Sequence, residues 1–184
     1  MWSFDRRAVL RLSVVFGLGA LTAGCFQPMY GDKSVVPTAG LDDKLGTVDV
    51  QEIVAPNGTR LKRLAIEVRN DLIFGLTGGG AAQTPAYSLK IQLASTQSQV
   101  IVDVNSNRPD VQNYGINATY TLTEIGTGAV VSSGTTFARV SYNIPGQQQR
   151  FAGDRGLRDA ENRASQVIAD NIRSRLASYF VAGT

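Results

Sequence analysis

Few side chains in this sequence could do chemistry, and their types decide which reactions are open. The 184 residues include no histidine and one cysteine, Cys25. A histidine general base, a Cys-His nucleophile, an internal disulfide and a His/Cys zinc cage are therefore excluded. Ser88 and Lys90 lie two apart, so they share a strand face as a Ser-Lys nucleophilic pair would, but no signature surrounds them. Asp42 and Asp43 are adjacent carboxylates in a stretch that reads as tether. The glycine run of residues 75–80 lacks the lysine and spacing of a phosphate loop and reads as a helix exit. No catalytic residue, metal ligand or soluble cofactor is expected, and no stripe of aromatic and basic residues suggests nucleic acid.

Cys25 is the exception, because of what precedes it. Arg6, Arg7 and Arg11 form a charged n-region, residues 12–21 an apolar h-region, and Leu21-Thr22-Ala23-Gly24-Cys25 closes the stretch with small residues. The closing motif resembles the bacterial lipobox, in which the cysteine sulfur takes a diacylglyceryl group, the signal is cut before it and the new amine is acylated. Residues 1–24 are read as a lipoprotein signal peptide, and the covalent lipid on Cys25 as the membrane anchor. Several acyl chains anchor stably where one would be marginal, at about 0.8 kcal/mol per buried methylene. Arg6-Arg7 also fits a twin-arginine signal, so the general and twin-arginine export routes both stay open. Residue 26 is Phe rather than the Asp of enterobacterial inner-membrane retention, which favours the outer membrane, periplasmic face.

The elements that follow are read from period. Residues 25–45 carry Pro28, Pro37, Gly31 and Gly40 without sustained period and form a lipid-anchored tether leading into the domain. Residues 46–184 are read as one domain. Val48 and Val50 alternate with Asp49 and Gln51, predicting a first strand over 47–54. Leu61, Leu64, Val68, Leu72 and Leu76 step by three and four, predicting a helix over 59–76 with Thr59 as N-cap. Three long strands are predicted next, the last two joined by a turn at Gly126-Thr127-Gly128. Leu157, Ala160, Ala164, Ile168, Ile172, Leu176 and Phe180 predict a final helix with Asp154 as candidate N-cap. The order β-α-β-β-β-α predicts an α+β two-layer sandwich, a four-stranded, mainly antiparallel sheet against two helices.

The lipobox running into Cys25-Phe26-Gln27-Pro28-Met29-Tyr30-Gly31, the helix containing Leu61-Lys62-Arg63-Leu64-Ala65, the three long strands and the closing Asp159-Ala160-Glu161-Asn162-Arg163-Ala164 helix together resemble the LptE family. These are lipopolysaccharide-assembly lipoproteins, and the likeness is to their alphaproteobacterial form. The resemblance implies a non-catalytic partner seated as a plug in the lumen of the LptD β-barrel, supporting its assembly and the passage of lipopolysaccharide to the outer leaflet. Independently of the family, a polar barrel lumen suits a surface rich in hydrogen-bonding groups and poor in charge. The alternate face bearing Asn117, Thr119, Thr121 and Thr123 is of that kind, as is an ordinary solvated sheet face.

Lipopolysaccharide phosphates call for cations, Arg above all. From 139 onward seven Arg face four acidic residues, a net +3. Arg150, Arg155 and Arg158 surround the connector before the last helix, and Arg108 sits in the loop after the second strand. By position, Arg108 and Arg155 resemble the family's lipopolysaccharide-linked cations, and Arg150 joins them as a candidate contact. Solvated surface charge is the alternative for each. Two other functions stay open: an auxiliary lipoprotein of a lipid-transporting ABC system, and a small envelope hydrolase using two close carboxylates or Ser-Lys.

Overall fold

In a computed structural model the chain divides into two units, Met1–Thr38 and Ala39–Thr184. The structure describes residues 40–80, 82, 84–103, 108–144 and 150–182. The signal peptide, Cys25 and the tether as far as residue 39 lie outside the described residues.

Seven elements follow in order: α1 (Leu41–Gly46), β1 (Val48–Val50), α2 (Arg60–Thr77), β2 (Tyr87–Asp103), β3 (Arg108–Glu124), β4 (Val130–Asn143) and α3 (Arg150–Ala182). The sheet order is β1-β2-β3-β4, with β1 parallel to β2 and the other neighbours antiparallel. Parallel β1 and β2 need a crossover, and α2 supplies it. Both long helices pack on one face of the sheet, so the expected two-layer α+β architecture is present.

The alternation in β3 settles which face is inside. Tyr114, Ile116, Ala118, Tyr120 and Leu122 are buried beneath the helices beside Leu89 and Ile91 of β2 and Ala138 and Tyr142 of β4. Gly134 makes room for this packing: a Cβ there would stand 3.0–3.2 Å from the Tyr120 ring and hydroxyl. From the helix layer come Leu64, Ala65, Val68, Leu72 and Leu76 of α2 and Leu157, Ala160, Ala164, Ile168, Ile172 and Leu176 of α3. Each fully buried Leu or Ile is worth about 1.5–3 kcal/mol relative to exposure, which makes these two stripes the main source of cohesion.

Thr59 caps α2, its Oγ1 accepting from the Lys62 amide at 3.2 Å, and Gly78 ends it in the left-handed conformation at φ 72°. Three expectations are corrected. Residues 41–46 are not tether but a helix whose Leu41 and Leu45 are buried, so the folded unit starts earlier than residue 46. The first strand pairs only over Val48–Val50, although Ile53 beyond it is still buried. Asp154 does not cap the last helix, which begins at Arg150. Gly156 lets that helix lie close against the end of β4: a Cβ there would stand 3.3 Å from the Asn143 carbonyl oxygen.

Candidate interaction surfaces

The sheet has one covered face and one open face. Asn117, Thr119, Thr121 and Thr123 project from β3 on the open side, opposite the buried Ile116, Ala118, Tyr120 and Leu122. Register sets their neighbours: Ala94 and Phe137 flank Asn117, Gln92 and Thr135 flank Thr119, Lys90 and Ser133 flank Thr121, Ser88 and Val130 flank Thr123. The surface is therefore a field of hydroxyls and amides carrying two cations, Lys90 and Arg139. Ser88 and Lys90 belong to this exposed field rather than to a recess. Phe137, 70% exposed, is a large aromatic in its midst that sequence reading did not single out. The signal was present as an apolar residue on the polar side of the β4 alternation.

The three candidate lipopolysaccharide contacts are brought to one end of the sheet. Arg108 opens β3 opposite Asp103, and Val111 pairs with Asn143, so the close of β4 and the start of α3 lie at that same end. Arg150 is the first residue of α3, and Arg155, exposed, follows five residues later. A recess of about 440 Å³ opens there, lined by Arg60, Gln97, Gln112, Tyr142, Asp154 and Leu157 among others. Within it the Tyr142 hydroxyl donates to Gln112 Oε1 at 2.6 Å and accepts from Gln97 Nε2 at 3.4 Å. Burial pushes the Tyr142 phenol above its ordinary value, against the pull of the Arg60 charge, so it stays protonated at neutral pH. The recess thus offers a neutral hydroxyl, the Arg60 guanidinium and the Asp154 carboxylate.

A second recess, about 640 Å³, lies among Asp42, Asp43, Thr47, Phe74, Gly75 and Arg173. One of the paired carboxylates has a structural task in it: Asp43 Oδ2 accepts from the Gly40 amide at 3.0 Å, closing the first turn of α1. Gly75 leaves space for the Arg173 stem, whose Cδ would stand 3.3 Å from a Cβ at that position.

Between the two helices runs a polar seam that the sequence reading passed over. Arg63 pairs with Glu161, which is 2% exposed, and Ser165 Oγ donates to Asp71 Oδ2 at 3.2 Å while also reaching the Asn162 carbonyl at 2.8 Å. No described helix is long and apolar enough to cross a membrane.

An amphipathic helix pair on a four-stranded sheet, with the far sheet face left polar, defines a two-layer α+β sandwich. The chain belongs to the LptE family, described as lipopolysaccharide-assembly, whose profile matches residues 45–176. Solved structures share the fold. A Caulobacter crescentus chain described as a lipoprotein superposes with TM-score 0.59 at 23% identity over 79% of this chain and 98% of its own. Lipoprotein B of Nitrosomonas europaea gives TM-score 0.53 at 11% identity, covering 83% and 95%. Rare lipoprotein B of Shewanella oneidensis gives 0.50 at 15% identity, covering 73% and 95%. No curated protein sequence matches the chain significantly.

Proposed function

We propose that this chain is a non-catalytic outer-membrane lipoprotein that binds and plugs an LptD-type β-barrel, aiding the barrel's assembly and the delivery of lipopolysaccharide to the outer leaflet. Its anchor is the lipid on Cys25, and residues 25–39 are the tether. The observation that carries the reading is the family match across nearly all of the folded unit. The open sheet face supports it, since a hydroxyl- and amide-lined surface exchanges hydrogen bonds with a wet lumen without desolvating many charges. Asn117, Thr119, Thr121 and Thr123 face the barrel wall in this reading. Arg108, Arg150 and Arg155 meet lipopolysaccharide phosphates at the other functional end, where guanidinium forks pair two oxygens at once.

The test is a mild-detergent pull-down of the tagged, lipidated protein from its native envelope, with partners identified by mass spectrometry. A stoichiometric β-barrel is expected, and it should be lost when Thr119→Glu and Thr121→Glu are combined while the melting transition is kept. Recovery of an ABC permease or its substrate-binding subunit, with no barrel, overturns the reading in favour of an auxiliary transport lipoprotein.

A further inference from the structure

Among the described residues the sheet ends on β4, which is 14 residues long and has one neighbour, β3. Two observations show which of its backbone groups face outward. The Glu124 amide donates to the Ala129 carbonyl at 2.9 Å, and the ladder beyond the irregularity at Leu122/Thr123 pairs Leu122 with Ser132. Alternation then gives the even residues of β4 to β3 and turns the N–H and C=O groups of Ser133, Thr135, Phe137 and Arg139 to the free edge. Ser141 confirms the parity, because its carbonyl lies off the ladder and accepts from Arg163 Nη2 of α3 at 3.4 Å. Among the described residues nothing else hydrogen-bonds the outward backbone of 133–139.

Edges of this kind are normally blunted by proline, inward-pointing charge, a bulge or brevity. Residues 133–139 have none of these: the stretch Ser-Gly-Thr-Thr-Phe-Ala-Arg is proline-free, with one charge, and that charge points to the open face. The irregularity near Val130 closes one end of the run and Arg163 marks the other, so the pairing length is set.

We propose that β4 is a self-pairing edge: two copies of this chain join antiparallel along residues 135–139, about a two-fold axis through Phe137, so that one sheet runs through both. Phe137 then exchanges both backbone hydrogen bonds with its mate, and the two exposed rings meet on the open face as a directly opposed aromatic pair. Arg139 falls opposite Thr135 of the second copy and diagonal to its Phe137 ring, within reach of a cation–π contact. Centring the pair on Arg139 would instead set two guanidinium groups against each other. Centring it on Thr135 would run into the irregularity near Val130. Among the outward-facing residues Phe137 is the centre that satisfies charge and backbone together; a centre at the inward-facing Thr136 would set Phe137 opposite Thr135 and give up the aromatic pair. A strand pair alone buries less than the ~1,600 Å² of a standard interface, so the association is expected to be weak and concentration-dependent. The pairing does not depend on the barrel reading and can fail without affecting it.

The test uses the full chain in mild detergent. Sedimentation equilibrium should show a concentration-dependent dimer, and Phe137→Pro should leave a monomer at all concentrations, since proline is tolerated where an edge N–H faces solvent. In the combined variant Thr135→Cys with Arg139→Cys, mild oxidation with copper phenanthroline should give an intermolecular disulfide. Opposed Cα atoms of a hydrogen-bonded pair are about 5.5 Å apart, within disulfide reach, whereas the two positions within one strand are about 13 Å apart. Either single cysteine variant should stay at the background set by the unsubstituted chain. A chain monomeric throughout, a dimer that survives Phe137→Pro, or a dimer in which the two introduced thiols fail to crosslink overturns the proposal.

Discussion

Arg63 of α2 is ion-paired to Glu161 of α3, and the carboxylate end of that pair is sealed from water while the guanidinium keeps 34% of its side-chain surface exposed. Glu161 Oε2 takes the pair; Oε1 is buried without a hydrogen-bond partner. A buried charge of this kind contributes little net stability while paired and costs heavily once its partner is gone. Arg63→Met should therefore destabilise the fold by about 3 kcal/mol, the low end for breaking a buried pair, because Arg63 is partly wet. Combining Arg63→Met with Glu161→Leu should recover most of that loss, and urea unfolding of the four chains in the cycle measures it. A double variant no better than the single would mean that the pair itself holds the helices together.

Asp71 sits at the same seam, and burial pushes its carboxyl above the ordinary 3.8, opposed by the Ser165 hydrogen bond and reinforced by Glu67 and Asp170. The folded chain thus holds the proton more tightly than the unfolded one. The stability this confers is full below about pH 3.8 and is lost as pH rises through the elevated folded-state value. Asp71→Asn should raise the melting temperature at pH 7, by no more than about 1 kcal/mol equivalent given its partial exposure, and have no effect near pH 3. Thermal melts across that range decide it.

Gly134 and Tyr120 make a second local test. Tyr120 is 3% exposed and boxed in by the helix layer, so its ring cannot retreat from a methyl group placed 3.0–3.2 Å away. Gly134→Ala should cost about 1–3 kcal/mol through overpacking, with the far-ultraviolet spectrum of the sheet retained. Thr59→Ala, which removes only the cap of α2, should cost about 1 kcal/mol. Denaturant midpoints rank the two.

For the cations at the far end of the sheet, Arg155→Glu and Arg108→Glu should each weaken binding of purified lipopolysaccharide several-fold, and more at low salt than at high salt. Arg175→Glu, on the exposed surface of α3 well beyond that end, serves as the control of equal charge change. Equal losses in all three would reduce the effect to net charge.

Much of this fold is legible where burial repeats with a period. Leu61 to Leu76 in α2, Ile116 to Leu122 in β3 and Leu157 to Leu176 in α3 each write the core stripe directly into the chain, and the polar side of β3 follows by alternation. What escaped has no period to show. Helix α1 is six residues long, too short for more than one turn of pattern, and its Asp42-Asp43 pair reads as part of the tether although Asp43 closes the first turn. Glu161 is one carboxylate on a helix rich in charge, and only the packing of α2 reveals that it points inward. Asp154 reads as the N-cap of the last helix, whereas the helix already runs from Arg150, with Gly156 packed close to the Asn143 carbonyl. The outward edge of β4 depends on hydrogen-bond parity, which no residue type encodes.

The parallel pairing of β1 with β2 and the long reach of α3 bear on the order in which this chain can assemble. Lys44 of α1 donates to the Phe180 carbonyl at 3.5 Å, and Tyr87 at the start of β2 meets the Phe180 ring edge-on at 5.1 Å. The earliest elements of the folded unit are thus secured by residues more than ninety positions later. The three-strand meander can form as it is synthesised, but its apolar face stays wet until the 157–176 stripe has been made. Whatever pairing the strands reach early, the compact body closes only after the last helix is free to dock.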